Sequence, residues 1–148
     1  MNLDPRFKEL LRSFNDEGVR YLVVGAYAVA FHGHPRNTFD LDIWLEASEA
    51  NADAVMKALE ATGYSVAPAM RLKFSQNGCI ARLGLKPAMI DLLTGLPGAE
   101  FEEAYHQREK TVADGVSISL VGLKHLRDLK AAVGRHQDLA DLDALPEA

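Results

Sequence analysis

The 148-residue sequence has the composition of a compact soluble protein, with 48% hydrophobic and 25% charged residues. A chain of this length can bury enough apolar surface to fold alone, so we predict that residues 1–148 form a single domain. The net charge of −5 argues against a broad electrostatic grip on duplex nucleic acid, although a local basic patch could still hold an RNA end. A single cysteine, Cys79, excludes an internal disulfide and a cysteine-based metal cluster.

Nothing in the sequence predicts membrane insertion or export. The longest apolar run, YLVVGAYAVAF, is too short to span a bilayer and is interrupted by Gly25. The opening residues, MNLDPRFKELL, lack the pattern of a signal peptide. We therefore expect a cytoplasmic protein without a membrane partner.

The first part of the chain predicts helices alternating with strands. Apolar residues at helical spacing from Leu3 to Asp16 indicate a helix, with Asp4-Pro5 as its start signal and Gly18 as its stop. The segment VRYLVVG predicts a buried strand that ends at Gly25, and AYAVAFHG a short helix after it. A second strand, NTFDLDIWL, is followed by ASEANADAVMKALEATG, which has the N-cap serine and terminal glycine of a third helix.

The second part predicts further strands and a helical tail. CIARLGL and AMIDLLT indicate two strands joined by a turn at Lys86-Pro87, and KTVADGVSISLVG a hairpin around Asp114-Gly115. FEEAYHQREK predicts a charged, solvated helix, and the residues from Tyr64 to Gln76 match no pattern. The tail predicts two helices separated near Gly134-Arg135. The element order is that of an α/β (α+β) protein.

The strand NTFDLDIWL carries two carboxylates one residue apart. Because side chains alternate along a strand, Asp40, Asp42 and Trp44 share one face. Two carboxylates about 4 Å apart repel by roughly 4 kcal/mol at an effective dielectric constant of about 20, so we expect a cation between them. Asp91, in the apolar segment AMIDLLT, adds a third acid if that segment pairs with the strand from Phe39 to Leu45.

This set of acids suits a hard divalent cation. Three carboxylates without cysteine or a clear histidine array favour Mg²⁺ or Mn²⁺ over zinc, and two such ions about 3.5–4 Å apart commonly support displacement at phosphorus. The alternative is that Asp40 and Asp42 end an edge strand in solvent or pair with arginines. Upstream, Gly25 would let a phosphate approach backbone N–H groups, although close packing between strand and helix explains this glycine equally well.

Three segments, LVVGAYAVAFHGHPRNTFDLDIWL, MIDLLTG and LKAAVGRHQDLADLDAL, resemble the minimal nucleotidyltransferases of the DNA polymerase β superfamily. The resemblance is greatest to small bacterial members, some of which belong to toxin–antitoxin systems. It covers nearly the whole chain and is most specific from Tyr21 to Leu45. The family's hG[GS]xA turn, R-x-T-x-D-x-D strand and later acid are matched here by Gly25, Ala28, Arg36, Thr38, Asp40, Asp42 and Asp91. The implied fold is a mixed β-sheet flanked by helices, with a short C-terminal helical tail.

The resemblance also implies a reaction. Asp40, Asp42 and Asp91 would be both the catalytic residues and the ligands of Mg²⁺ or Mn²⁺. Asp40 and Asp42 would bind the ions that hold a nucleoside triphosphate, the NTP substrate. Asp91 would bind the ion at which an acceptor hydroxyl attacks, and would help to deprotonate that hydroxyl. An NMP group would move to the acceptor with release of pyrophosphate.

The same resemblance implies a set of nucleotide-binding residues. They are Gly25, Ala26, Arg36, Thr38, Lys130 and Arg135. Arg36 could instead neutralise the aspartates, and Lys130 and Arg135 could form structural salt bridges with Asp138 or Asp141. Ala26 departs from the family, which has glycine or serine there. Alanine costs little if the residue is helical, but about 1–2 kcal/mol if it needs a positive φ.

Two functions from different classes fit these residues. The first is a metal-dependent nucleotidyltransferase, whose acceptor could be a protein hydroxyl, an RNA end or a small molecule. The second is a catalytically degenerate module that binds a nucleotide or a partner protein, as an antitoxin would, and it is motivated by Ala26. The short chain could also form a homodimer and build part of the acceptor site across the interface.

Overall fold

The computed structural model describes residues 3–35 and 38–148. The helices in these ranges are α1 Pro5–Asp16, α2 Gly25–Phe31, α3 Glu49–Ala61, α4 Met70–Phe74, α5 Phe101–His106, α6 Leu123–Val133 and α7 His136–Ala144. The strands are β1 Tyr21–Val24, β2 Asp40–Leu45, β3 Ile80–Leu83, β4 Met89–Leu93, β5 Glu109–Ala113 and β6 Val116–Leu120. In the described ranges, no helix is both long and apolar enough to cross a membrane.

The described strands form one mixed sheet. Its order is β3-β4-β2-β1-β6-β5, with parallel pairing of β2 with β4 and of β1 with β6, and antiparallel pairing elsewhere. The β5–β6 hairpin turns at Asp114 and Gly115, whose φ angles of 50° and 80° are those of a tight two-residue turn. The predicted α/β class, with a mixed sheet, flanking helices and a helical tail, is confirmed.

Local side-chain chemistry explains where the predicted helices begin and end. Asp4 accepts a hydrogen bond from the Arg6 backbone N–H at 2.9 Å, which caps α1. The Ser48 hydroxyl caps α3 in the same way by accepting from Asn51 N at 3.1 Å. Gly134 ends α6 with a φ of 66°, which permits the turn into α7.

The sheet is covered on both faces, and the two coverings differ in extent. On one face, α1 and α3 pack over the apolar residues of the central strands, so Leu41 and Ile43 are completely buried. On the other face, α5 and α6 cover the sheet near Trp44, whose ring meets Phe101 edge-on at 5.2 Å. Ile80, on the edge strand β3, remains 76% exposed. The aspartates of β2 thus lie on the less completely covered face.

Three local predictions differ from the structure. The segment Tyr64 to Gln76, which matches no pattern in the sequence, contains α4, anchored by the buried Phe74. The predicted charged helix FEEAYHQREK ends as α5 at His106, and its last residues enter β5. We expect scattered histidines to lie on the surface, but His125 is only 3% exposed because α6 turns it inward.

Candidate active site

The pairing of β2 with β4 brings two of the three predicted acids together. Asp42 and Asp91 are direct cross-strand partners in this parallel pair, so their side chains project from the same face. Asp40 lies one pleat earlier on the same face and is paired with Met89. The condition for a three-acid cluster, namely pairing of the two strands, is therefore met.

The carboxyl group of Asp42 has a strongly perturbed pKa. Burial, together with the charges of Asp91 and Asp40, raises the pKa of Asp42 from 3.8 to about 6. A hydrogen bond between Asp42 and Asp91 acts in the same direction, and the Lys130 charge opposes the shift. The ionised form of Asp42 is thus short of compensating positive charge.

Gly25 lies against this carboxylate. It has a φ of 67° at the start of α2, and a Cβ atom built on it would lie 2.2 Å from Asp42 Oδ2 and 3.0 Å from Asp42 Cγ. Both the backbone conformation and the contact exclude a side chain at this position. Ala26 is the next residue of α2 and is buried. Among the described residues Asp114 alone combines a side chain with a positive φ, so Ala26 does not carry the strain that a left-handed conformation would impose.

The loop before β2 provides one further predicted residue. Thr38 Oγ1 accepts a hydrogen bond from Asp40 N and donates one to Asp40 O, both at 3.2 Å. Thr38 therefore fixes the backbone from which the Asp40 side chain leaves. Arg36, which we predict to contact phosphate, lies outside the described residues.

The two predicted basic residues of the tail are paired with acids of α7. Lys130 Nζ lies 3.3 Å from Asp138 Oδ1 and 3.1 Å from Asp141 Oδ2, and both acid side chains are at most 2% exposed. Arg135 Nε contacts Asp138 Oδ2 at 2.8 Å, while its side chain remains 74% exposed. Burial by itself would raise the pKa of Asp138, but its contacts with Arg135 and Lys130 lower the value below the usual range. The salt-bridge alternative for these two residues is what the structure contains.

Lys130 and Arg135 nevertheless border the acids. A cavity of about 140 Å³ lies between the sheet and helices α6 and α7. The residues lining it are Val24, Gly25, Asp42, Leu93, Leu96, Leu126, Leu129, Lys130, Val133, Arg135 and Asp138. Its walls are mainly apolar, and its charged side chains are Asp42 on the sheet, Lys130 on α6, and Arg135 and Asp138 at the start of α7.

Sequence analysis missed one residue of this cluster, Arg82 of β3. Its Nε and Nη2 donate to the two oxygens of Asp91 at 2.8 and 3.0 Å, and these bonds raise the pKa of the guanidinium. Arg82 and Asp91 are direct cross-strand partners. The predicted turn at Lys86-Pro87 contained the signal, because a tight hairpin centred there places Arg82 opposite Asp91.

The acids can be compared with the requirements of a divalent ion. Asp40 Oδ1 is buried and has no hydrogen-bond partner among the described residues, and Asp42 is its neighbour, so these two acids offer the oxygen donors that Mg²⁺ or Mn²⁺ prefers. In the described part of the chain, no three His, Cys, Asp or Glu side chains are arranged to hold one ion together. Asp91, the third predicted ligand, is engaged by Arg82. Asp40 and Asp42 therefore fit an ion as the site stands.

Comparison with known proteins supports the fold. No protein-family model matches the chain. A search of curated proteins also finds no match. Among solved structures, the chain is similar to a Thermotoga maritima protein assigned provisionally as a nucleotidyltransferase, with a TM-score of 0.58 and 14% identity over 95% of this chain and 92% of that chain.

The chain has a nucleotidyltransferase fold. At 14% identity the similarity concerns the backbone, so any chemistry has to be argued from the side chains that this fold carries. The similarity extends over both the sheet and the helical tail, because it covers 95% of the chain.

Proposed function

We propose that the protein is a metal-dependent nucleotidyltransferase of the small bacterial DNA polymerase β type, which transfers an NMP group from an NTP to a hydroxyl acceptor. The observation that carries this proposal is the in-register placement of Asp42 beside Asp91, with Gly25 pressed against the Asp42 carboxylate. A structural ion pair needs neither two adjacent acids nor a glycine at this distance. A site for a cation and a phosphate benefits from both.

The order of residues across the sheet suggests where each substrate binds. Gly25 lies on one side of Asp42, and Asp91 lies on the other. The cavity borders Gly25, Asp42 and Arg135, so we assign the nucleotide to that side, with its base against the apolar wall from α6. The open side of the sheet, beyond Asp91, is then available to the acceptor.

The proposed chemistry is an in-line displacement at the α-phosphate. An oxygen–phosphorus bond forms from the acceptor hydroxyl, the bond to the β-phosphate breaks, and the electron pair leaves with pyrophosphate. Asp40 and Asp42 would hold Mg²⁺ or Mn²⁺, which supplies positive charge to the phosphate oxygens when bound. Asp91 is closest to the acceptor side and would receive the hydroxyl proton, directly or through water.

The remaining predicted residues would orient the triphosphate. Gly25 leaves room for a phosphate against the backbone, and Ala26 presents a helical N–H next to it. Thr38 holds the start of β2, and we keep Arg36 as a phosphate ligand from the preceding loop. Arg135 reaches solvent beside the cavity, so it can rotate toward a nucleotide and leave the buried Asp138 paired with Lys130.

A second function is favoured by one observation. The described cations nearest the acids, Arg82, Lys130 and Arg135, are each paired with an acid of the chain itself. Such pairing suits a degenerate module that binds a nucleotide or a toxin–antitoxin partner protein without turnover. This candidate predicts nucleotide or partner binding without pyrophosphate release.

One titration tests the leading proposal. The wild-type protein is titrated with ATP, CTP, GTP and UTP by calorimetry, with and without Mg²⁺, beside the double variant Asp40→Asn/Asp42→Asn. We expect at least one nucleotide to bind only when both the metal and the acids are present. The double variant Asp16→Asn/Asp143→Asn makes the same charge change at two exposed positions and should bind like the wild type.

Turnover is measured on the same proteins as pyrophosphate release. Acceptors from three classes are supplied in turn: a protein extract, short RNA with a free 3′ end, and hydroxyl-bearing small molecules. If the wild type releases pyrophosphate and Asp40→Asn/Asp42→Asn does not, the result supports the transferase. Metal-dependent nucleotide binding without release from any acceptor supports the degenerate module, while release that survives this double substitution contradicts the metal assignment.

A further inference from the structure

We propose that Arg82 is a positioning residue that holds Asp91 and restricts the acid cluster to a single divalent ion. The inference rests on the proposed function, because it concerns how many ions the same acids accept. Arg82 is not part of the family pattern, and that pattern does not specify how many ions the acids bind.

The geometry of the Arg82–Asp91 pair limits how Asp91 could bind a second ion. Arg82 Nε donates to Asp91 Oδ1 at 2.8 Å and Arg82 Nη2 donates to Asp91 Oδ2 at 3.0 Å, which is the planar bidentate arrangement. A second ion bound by Asp91 would have to use the remaining lone pairs of these oxygens while lying close to the guanidinium. In addition, no three acids of the described residues are arranged to hold one ion together.

The charge balance of the acid cluster also favours a single divalent ion. Asp40, Asp42 and Asp91 together carry three negative charges when ionised, and the Arg82 guanidinium offsets one of them. One divalent ion then balances the remaining two. A second ion would bring excess positive charge beside a fixed cation, and repulsion between close charges in a partly buried site weakens binding strongly.

Arg82 and Asp91 also differ in their exposure to solvent. The Asp91 side chain is 13% exposed and lies on the interior strand β4, whereas the Arg82 side chain is 57% exposed on the edge strand β3. Because solvent screens the largely exposed guanidinium, the pair contributes only modestly to overall stability. Its main effect is therefore local: it fixes the orientation and charge of Asp91 in the cluster.

The test is the stoichiometry of Mn²⁺ alone, measured by calorimetry without any nucleotide. We expect one Mn²⁺ per wild-type chain. Arg82→Gln should bind a second Mn²⁺, and its first ion about tenfold more tightly, because Asp91 is released and the opposing charge is gone. Arg82→Lys returns a cation and should restore the binding of a single ion.

A matched control separates this effect from the loss of any arginine. Arg71 of α4 pairs with Asp53 of α3 through its Nε and is also partly exposed, and these helices pack on the opposite face of the sheet. Arg71→Gln should therefore keep the wild-type Mn²⁺ isotherm. Thermal unfolding of each variant, which we expect to match the wild type closely, verifies that the chains compared are folded.

The outcomes distinguish this inference from the function on which it rests. If Arg82→Gln has the wild-type isotherm, if Arg82→Lys behaves like Arg82→Gln, or if the wild type binds two ions, the role of Arg82 is overturned while the transferase proposal stands. If Asp40→Asn/Asp42→Asn keeps the wild-type Mn²⁺ binding, or if no protein binds Mn²⁺, the metal assignment and the role of Arg82 fail together.

Discussion

Gly25 and Asp42 are in such close contact that a Cβ atom at position 25 would lie 2.2 Å from the Asp42 Oδ2 atom. The two residues are neighbours because Val24, the last residue of β1, is the cross-strand partner of Asp42. The turn from β1 into α2 then carries the Gly25 backbone over the carboxylate. The shape of the site at this point depends on the absence of a side chain.

We predict that Gly25→Ala disrupts the site as well as the backbone. A left-handed conformation costs alanine about 1–2 kcal/mol, and the clash with Asp42 should add at least about 1 kcal/mol to the loss in free energy of unfolding. Gly18→Ala is the matched control, because Gly18 has a similar φ of 69° and a Cβ atom there would meet nothing within 4 Å. Urea unfolding and Mn²⁺ calorimetry of both variants measure the difference. If the two variants lose the same free energy of unfolding and both keep wild-type Mn²⁺ binding, the close contact between position 25 and Asp42 would be contradicted.

The raised pKa of Asp42 predicts that this residue destabilises the metal-free protein at neutral pH. With a pKa of about 6 in the folded chain against 3.8 for the free group, the folded state binds the extra proton between these values. The free energy of unfolding therefore falls as the pH rises through this window. The decrease is complete above about pH 7, where Asp42 is ionised in both the folded and the unfolded state. The loss amounts to about 3 kcal/mol.

Asp42→Asn should consequently be more stable than the wild type by about 3 kcal/mol at pH 8, and about equally stable near pH 4. Urea unfolding in the presence of EDTA at the two pH values measures this. Asp16→Asn changes an exposed carboxylate and should show no comparable gain at pH 8. A variant of Asp42 that gains nothing at pH 8 would argue against a crowded, buried carboxylate.

Ala26 predicts a result opposite to that suggested by the family pattern. Since Ala26 is helical and buried, restoring the family glycine should lower the free energy of unfolding by about 0.5–1 kcal/mol. We expect Ala26→Gly to leave the nucleotide dissociation constant within about twofold of the wild type, because a backbone N–H in the first turn of α2 has no intrahelical partner with either residue. Calorimetry with the nucleotide that binds the wild type measures this dissociation constant. Much tighter binding by Ala26→Gly would show that the alanine at position 26 weakens nucleotide binding.

Lys130 should contribute far more to stability than its exposed neighbour on the same helix. Lys130→Met removes the cation between Asp138 and Asp141, two nearly fully buried acids, and should cost about 2–4 kcal/mol in free energy of unfolding. Lys124 forms an exposed pair with Asp128, and Lys124→Met should change the same quantity by less than about 0.5 kcal/mol. Denaturant unfolding of the two variants compares them directly, and similar losses would contradict a structural role for Lys130.

The elements of the fold were largely predictable because their signals are local. The alternation in DLDIWL, the cap at Ser48 and the Asp114-Gly115 turn each identify an element from a few adjacent residues. The short helix α4 was missed because five residues with a single buried anchor, Phe74, produce no recognisable period. Its position depends on packing against α3, which is a tertiary effect.

The site was predictable only where strand pairing could be inferred. Asp91 could be placed beside Asp42 because both lie in apolar strand segments, whereas the Arg82–Asp91 pair required the hairpin register to be worked out as well. The proximity of Gly25 to Asp42 had no sequence signal, since it depends on how the chain leaves β1. For Lys130, local spacing identified the partners in α7 but could not decide between an ion pair and a ligand contact.

The register between β2 and β4 has a consequence for folding. A shift of one residue would bring Asp91 opposite Leu41 or Ile43 and turn its carboxylate toward the completely buried apolar layer beneath α1 and α3. An unpaired carboxylate there would cost several kcal/mol, so misaligned sheets are strongly disfavoured. The acid proposed to serve the reaction thus also selects the correct alignment of the central strands as the chain folds.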